Sequence, residues 1–135
     1  KRAILASLSK IDKLELFGTD YNTPDGTCIR DFIHVTDLSS AHIDALNYLT
    51  HHRTSHVLNC GYGKGHSVKE VIKEVKKVSE VDFKVVPVAR REGDPPSLIS
   101  NPSKIKEVLG WIPKYDSLTT MVKSAYDWEK ILQKI

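Results

Sequence analysis

DGTCIRDFIHVTDL, Asp25 to Leu38, is the stretch on which the fold turns, because it packs a turn, a short apolar run and a helix start into a few residues. Pro24-Asp25-Gly26 presets one φ angle and supplies a residue tolerant of positive φ, so the preceding TDYNTPDGT reads as turn throughout. Phe32 to Val35 then reads as a short strand, and Asp37 as the N-cap of a helix whose Leu38, Ala41, Ala45, Leu46 and Leu49 share one face. Upstream, Leu14 to Gly18 alternates and ends on glycine, the pattern of another strand.

The pattern alternates helices with short strands on both sides of that stretch. Ala3, Ile4 and Leu8 give an initial helical turn or two that begins without a cap, as if cut from something longer. His56 to Cys60 reads as a buried strand running into the glycine-rich turn GYGKGHS, Gly61 to Ser67. Ser67 with Glu70 forms a capping box ahead of the stripe Val68, Val71, Ile72, Val75 and Val78. Phe83 to Val88 is a further apolar strand candidate, Pro102 opens a short helix as its N1 residue, and Gly110 closes it. A last helix follows Ser117, with Leu118, Met121, Val122, Ala125, Trp128 and Leu132 on one side. The expectation is a small mixed α/β domain with short strands and about five helices, residues 1–135 forming one unit.

Composition narrows the function. A chain of 135 residues that is 40% hydrophobic supports one core and not two. Its net charge of +3 comes from scattered Lys and Arg, which excludes the basic block of a nucleic-acid binder. No apolar run reaches the roughly 18 residues of a membrane span. Two cysteines, Cys28 and Cys60, without a leader segment suggest reduced thiols and a cytoplasmic location. His51, His52 and His56 lack a convergent cysteine or carboxylate, so a metal site is not expected there. His34 is read as making a structural hydrogen bond, and Trp111 and Trp128 as core residues.

The chemistry lies in the loops. Arg30 with Asp31 sits beside one strand, and RREGDP, Arg90 to Pro95, follows another. Open α/β sheets place ligands at strand ends, and a guanidinium matches phosphate oxygens bidentately. Surface ion pairing of these arginines with Asp31, Glu92 or Asp94 is the plain alternative. Arginines with a carboxylate at loop positions suit an anionic ligand that also carries hydroxyls, and a sugar nucleotide has both.

These segments carry a resemblance. LELFGTDYNTPDGTCIRDFIHVTDLSSAH, LNCGYGKGHSVKEVI, VVPVARREGDPPSLIS, KEVLGWIPKYDSL and AYDWEK are similar, almost end to end, to the later part of the UDP-glucose (UDP-galactose) 4-epimerase family. That family is a branch of the NAD-dependent extended short-chain dehydrogenase/reductases. The RDxxHVxDL theme is shared with nucleotide-sugar dehydratases, and DGTCIRD together with RREGDP favours the epimerase branch.

The resemblance implies that Arg30 and Arg91 hold the diphosphate of a UDP-sugar and Asp94 its ribose hydroxyls. Glu15, Leu16 and Phe17 match the strand that packs along the uracil, and Leu98 the position that borders the sugar. Leucine there, smaller than tyrosine, implies some acceptance of UDP-N-acetylhexosamines beside UDP-glucose and UDP-galactose. In the complete enzyme of galactose metabolism, NAD takes a hydride from sugar C4 while a tyrosine removes the O4 proton, and the 4-keto sugar turns over before the hydride returns.

This chain is expected to hold no catalytic residue and to bind no cofactor by itself. GYGKGHS has the wrong spacing for a dinucleotide turn, and only Tyr126 with Lys130 has the Tyr-x-x-x-Lys spacing, within a terminal helix. A piece separated from its Rossmann cofactor domain should expose apolar surface and self-associate, as a homodimer or larger. Other readings are part of a different nucleotide-sugar epimerase or dehydratase, or a non-catalytic remnant module.

Overall fold

The computed structural model describes residues 1–132, built from five helices and five short strands. In chain order these are α1 (Arg2–Ser7), β1 (Leu14–Phe17), β2 (Ile29–Arg30), α2 (Val35–His52), β3 (His66–Ser67), α3 (Val68–Ser79), β4 (Val85–Val88), β5 (Ser97–Leu98), α4 (Ser103–Leu109) and α5 (Leu118–Leu132). The small mixed α/β fold is therefore as the sequence implies.

The strands form two small sheets. In the first, β1 and β4 run parallel with Leu14 opposite Val85 and Phe17 opposite Val88. Parallel neighbours need a crossover, and α3 supplies the last part of it before β4. Leu14 and Leu16 point into the core while Glu15 and Phe17 take the other face, the period-2 consequence of a strand. In the second sheet β2 is central, antiparallel to β3 and parallel to β5, with Arg30 opposite both His66 and Leu98.

Helix α3 shows how local chemistry fixes an element. Ser67 Oγ accepts from the Glu70 N–H and the Glu70 carboxylate accepts from the Ser67 N–H, so two of the free donors at the helix start are used reciprocally. Its Ile72 and Val75 then join Ile4, Ala6, Leu14, Leu16, Phe83 and Val122 in the main core, which unites α1, β1, α3 and α5. Burying each such side chain contributes about 1.5–3 kcal/mol. A second cluster of Ala41, Ile105 and Trp111 joins α2 to α4. Helix α4 stops at Gly110, whose φ of +63° is the left-handed conformation that glycine adopts without a Cβ penalty.

Several local expectations are overturned by longer-range contacts. Phe32 to Val35 is not a strand; pairing falls earlier, on Ile29 and Arg30, where β3 and β5 lie alongside. His34, not Asp37, caps α2: its Nδ1 accepts from the Thr36 N–H at 3.1 Å, and its Nε2 lies 2.9 Å from Ser124 Oγ on α5. The structural hydrogen bond expected of His34 is thus present. Pro102 lies one position earlier than expected, at the N-cap itself. His56 to Cys60 forms no strand, since no neighbouring strand pairs with it, and β4 begins at Val85 instead of Phe83. Trp111 is buried, but Trp128 is 57% exposed, as are Leu46 and Leu49 in large part, because α1, α3 and α4 do not cover those faces. No helix among the described residues is long and apolar enough to cross a membrane.

Candidate functional site

The turn chemistry of Pro24 to Thr27 fixes one side of the site. Asp25 Oδ1 accepts from the Thr27 N–H at 2.9 Å and from the Thr27 hydroxyl at 2.6 Å, while Lys69 Nζ donates to the Asp25 carbonyl at 2.7 Å. The Ser67 hydroxyl donates to Asp25 Oδ2, which ties the turn to the start of α3. Burial pushes the Asp25 carboxyl up, but the Ser67 and Thr27 hydrogen bonds outweigh it and hold it below the usual carboxylate range. This turn delivers Arg30 at the end of β2.

Arg30 is three-quarters buried and held at both ends of its guanidinium. Nη1 donates to its own strand's Ile29 carbonyl at 2.7 Å, and Nη2 lies 3.3 Å from Asp94 Oδ1. Asp94 reaches this position because Gly93, at φ +79°, turns the chain sharply after Arg91. The ion pair weighed from sequence is therefore present for Arg30, with Asp94 as partner.

Arg91 behaves differently from Arg90. Its guanidinium carbon sits 3.8 Å above the Phe17 ring at the end of β1, a cation–π stack. Arg90 binds Asp20, with Nε 2.7 Å from Oδ1, and lies 4.3 Å above the Tyr21 ring. The hydrogen bond to Asp20 comes first in raising the Arg90 guanidinium above its ordinary value, and the same bond lowers Asp20. The Tyr21 hydroxyl is buried without a hydrogen-bond partner among the described residues.

An open pocket of about 560 Å³ lies beside Arg30 and is lined by Arg30, Asp31, Asn59, Cys60, Leu98 and Ser100, among others. That volume falls within the ~300–1,000 Å³ of small-molecule sites. Leu98 stands opposite Arg30 across the β2–β5 pairing and is 61% exposed, so its side chain is available at the pocket mouth. The structure thus brings Arg30, Asp94 and Leu98 together, and Arg91 with Phe17. Leu16 turns its side chain into the core, leaving only backbone groups for a ligand, and Glu15 lies 3.7 Å from Lys13. Burial, followed by the charges of Asp37 and Asp31, pushes the Cys60 thiol up, so it stays protonated and is a poor nucleophile.

Two carboxylates, Asp31, weighed from sequence as an arginine's ion-pair partner, and Asp37, expected as a helix N-cap, instead organise the surroundings. Asp31 accepts from the Tyr62 and Gly63 amides, each at 3.0 Å, and from both the amide and the hydroxyl of Ser100. Asp37, 2% exposed, accepts from the Tyr62 hydroxyl at 2.7 Å and the Lys114 and Tyr115 amides at 2.9 and 2.8 Å. Burial opposes ionisation of Asp37, yet these three donors prevail and its carboxyl is held below the usual range. The sequence signal for these amide-holding roles was a carboxylate set among apolar residues in RDFIHVTDL.

The same contacts decide whether GYGKGHS suits a dinucleotide. The amides of Tyr62 and Gly63 are already spent on Asp31, and a Cβ at Gly61 would strike the Asp31 carboxylate and Ser100 Oγ. The helix that follows carries Glu70 at its first turn, which repels an anion where a pyrophosphate would need attraction. These residues do not fit NAD. Among the described residues no cluster of three or more His, Cys, Asp or Glu is arranged to hold a metal ion.

Comparison with known proteins relates the chain to a family. The family described as GDP-mannose 4,6 dehydratase matches residues 2–124. A UDP-glucose 4-epimerase from Azospirillum brasilense is 48% identical over 134 residues, 99% of this chain and 38% of that protein. The structure of a UDP-Glc/GlcNAc 4-epimerase from Campylobacter jejuni is similar with a TM-score of 0.86 at 58% identity, covering 96% of this chain and 39% of that one. A UDP-glucose 4-epimerase from Stenotrophomonas maltophila, solved with bound NAD and formylated UDP-arabinopyranose, gives a TM-score of 0.91 at 35% identity over 98% of this chain and 39% of its own. The chain therefore spans about two-fifths of the length of the relatives it matches. With its sequence matched from residue 2 to residue 124 and its fold shared with these epimerases, the chain belongs to the GDP-mannose 4,6 dehydratase family and is similar within it to UDP-glucose 4-epimerases.

Proposed function

We propose that this chain is the substrate-holding portion of an NAD-dependent UDP-glucose/UDP-galactose 4-epimerase. The observation that carries the reading is that Arg30 and Leu98 line one pocket while Asp94 pairs with the Arg30 guanidinium, and Arg91 stacks on Phe17 at the end of β1. Arg30 and Arg91 take the diphosphate, Asp94 the ribose hydroxyls, and the β1 edge with Phe17 the uracil, through an apolar wall and backbone groups. An epimerase must hold the nucleotide firmly and the hexose loosely, because the sugar has to present both faces of C4. A grip remote from the reacting carbon meets that need.

Leu98 sets the room for the sugar. Its aliphatic side chain offers no hydrogen bond and leaves space for an N-acetyl group, and the Campylobacter jejuni relative is named for both UDP-Glc and UDP-GlcNAc. We assign the same breadth to this chain. The hydride chemistry and the NAD site belong to polypeptide outside these residues, and the chain alone is inactive.

The apolar groove between α1, the start of α2 and α5 is where such polypeptide would dock. Ile4, Ile33, Val35, Met121 and Trp128 line it, with Val35 69% exposed. Left uncovered, that surface drives self-association of the chain. A cytoplasmic location suits the two free cysteines.

Calorimetric titration with UDP, dTDP and GDP tests the reading. Preference for UDP supports the epimerase; preference for dTDP or GDP shifts the assignment to a dehydratase-type enzyme. Absence of binding at millimolar nucleotide overturns both in favour of a non-binding module.

A further inference from the structure

We propose that Asp31 is a positioning residue that shapes the sugar end of the pocket, acting through Leu98 and the glycine loop. The inference rests on the UDP-sugar reading above. Asp31 gathers three segments far apart in sequence: the end of β2, the Gly61 to Gly63 loop, and the chain just after β5. Its own N–H donates to the Leu98 carbonyl at 3.3 Å, while its carboxylate holds the Ser100 amide and hydroxyl. Leu98 and Ser100 are alternate residues of an extended segment, so a shift of Ser100 carries Leu98 with it.

Electrostatics assigns the same role. An ionised carboxylate next to the phosphate-binding Arg30 would repel a diphosphate if its charge were left open. The amides of Tyr62, Gly63 and Ser100 and the Ser100 hydroxyl disperse that charge, occupying most of the acceptor capacity of one carboxylate. Gly61 shows how closely the loop is drawn in, since any side chain there would collide with the same carboxylate. Asp31 is therefore turned towards the protein, and its product is the placement of Leu98 across from Arg30.

The experiment compares UDP, UDP-glucose and UDP-N-acetylglucosamine binding to the unaltered chain and to Asp31→Asn, with amide hydrogen exchange measured on the ligand-free proteins. The asparagine turns one acceptor into a donor that faces N–H groups. Tyr62, Gly63 and Ser100 amides are expected to lose protection together, and the ratio of UDP-glucose to UDP-N-acetylglucosamine affinity to change about tenfold while UDP itself changes much less. If Asp31→Asn does not fold, Ser100→Ala, which removes one hydroxyl donor, carries the comparison with a smaller change of ratio in the same direction. Equal loss for all three ligands, or loss of protection confined to one amide, overturns the inference. Failure of the unaltered chain to bind UDP or either sugar overturns the functional reading and the specificity role with it. Intact UDP binding with an unchanged sugar ratio overturns the role of Asp31 alone.

Discussion

Arg30 and Asp94 hold each other: Nη2 of the guanidinium lies 3.3 Å from the carboxylate Oδ1, joining residues 64 positions apart in the chain. The two groups assigned to the phosphates and the ribose of one ligand are thus preset beside each other before it arrives. The pair is partly exposed, so it adds little to stability and its value lies in placement.

That placement makes separable predictions. Arg30→Ala should weaken UDP about 10- to 100-fold, the worth of one desolvated charge-assisted hydrogen bond, while leaving uridine nearly unaffected. Asp94→Ala should weaken uridine and UDP alike. Calorimetry with both ligands reads the difference, and equal sensitivity of uridine to Arg30→Ala would place the diphosphate elsewhere.

Leu98→Tyr should narrow the sugar range. A phenol at the pocket mouth fills the space an N-acetyl group needs, so UDP-N-acetylglucosamine should lose about tenfold or more relative to UDP-glucose. Competition binding with the two sugars checks this, and an unchanged ratio would remove Leu98 from the specificity assignment.

Asp37 should govern stability in acid. Its folded-state pKa is depressed, so the stability it contributes is present above the unfolded value of about 4 and is lost as pH falls through the folded value. Asp25 is depressed in the same sense and adds to the same acid limb. Asp37→Asn should destabilise by about 2–4 kcal/mol at neutral pH, because buried N–H donors of the Lys114 and Tyr115 segment lose a charged acceptor, and should flatten the acid limb. Urea unfolding from pH 7 down to pH 3 measures both. Tyr62→Phe, which removes one of the three donors, should raise the midpoint of that acid limb.

The uncovered groove predicts concentration-dependent association. Light scattering at high concentration should report a dimer or larger species, and Trp128→Lys should shift it towards monomer by placing a charge on the exposed apolar face. A clean monomer of the unaltered chain would count against docking at this surface.

How much was readable depended on the distance over which each feature is decided. The capping box of Ser67 and Glu70, the stripe of α3, the alternation of Leu14 and Leu16 and the stop at Gly110 involve residues within a turn or a strand of each other, and all were legible. His34 as the α2 cap was not, because the cap competes with the better-known capper Asp37, whose carboxylate is taken by amides 77 and 78 residues away. Trp128 misled for a related reason: periodicity marks an apolar side of α5 and does not say whether another element covers it.

The sequence by itself determined the helices and the turns, since propensity and capping are properties of neighbouring residues. Only the tertiary structure decided that pairing falls on Ile29 and Arg30, that Asp31 and Asp37 serve amides of distant loops, and that Arg30 meets Asp94 while Arg91 rests on Phe17. A carboxylate among apolar residues must find donors once it is buried, and which donors it finds is fixed by the packing that brings remote segments against it.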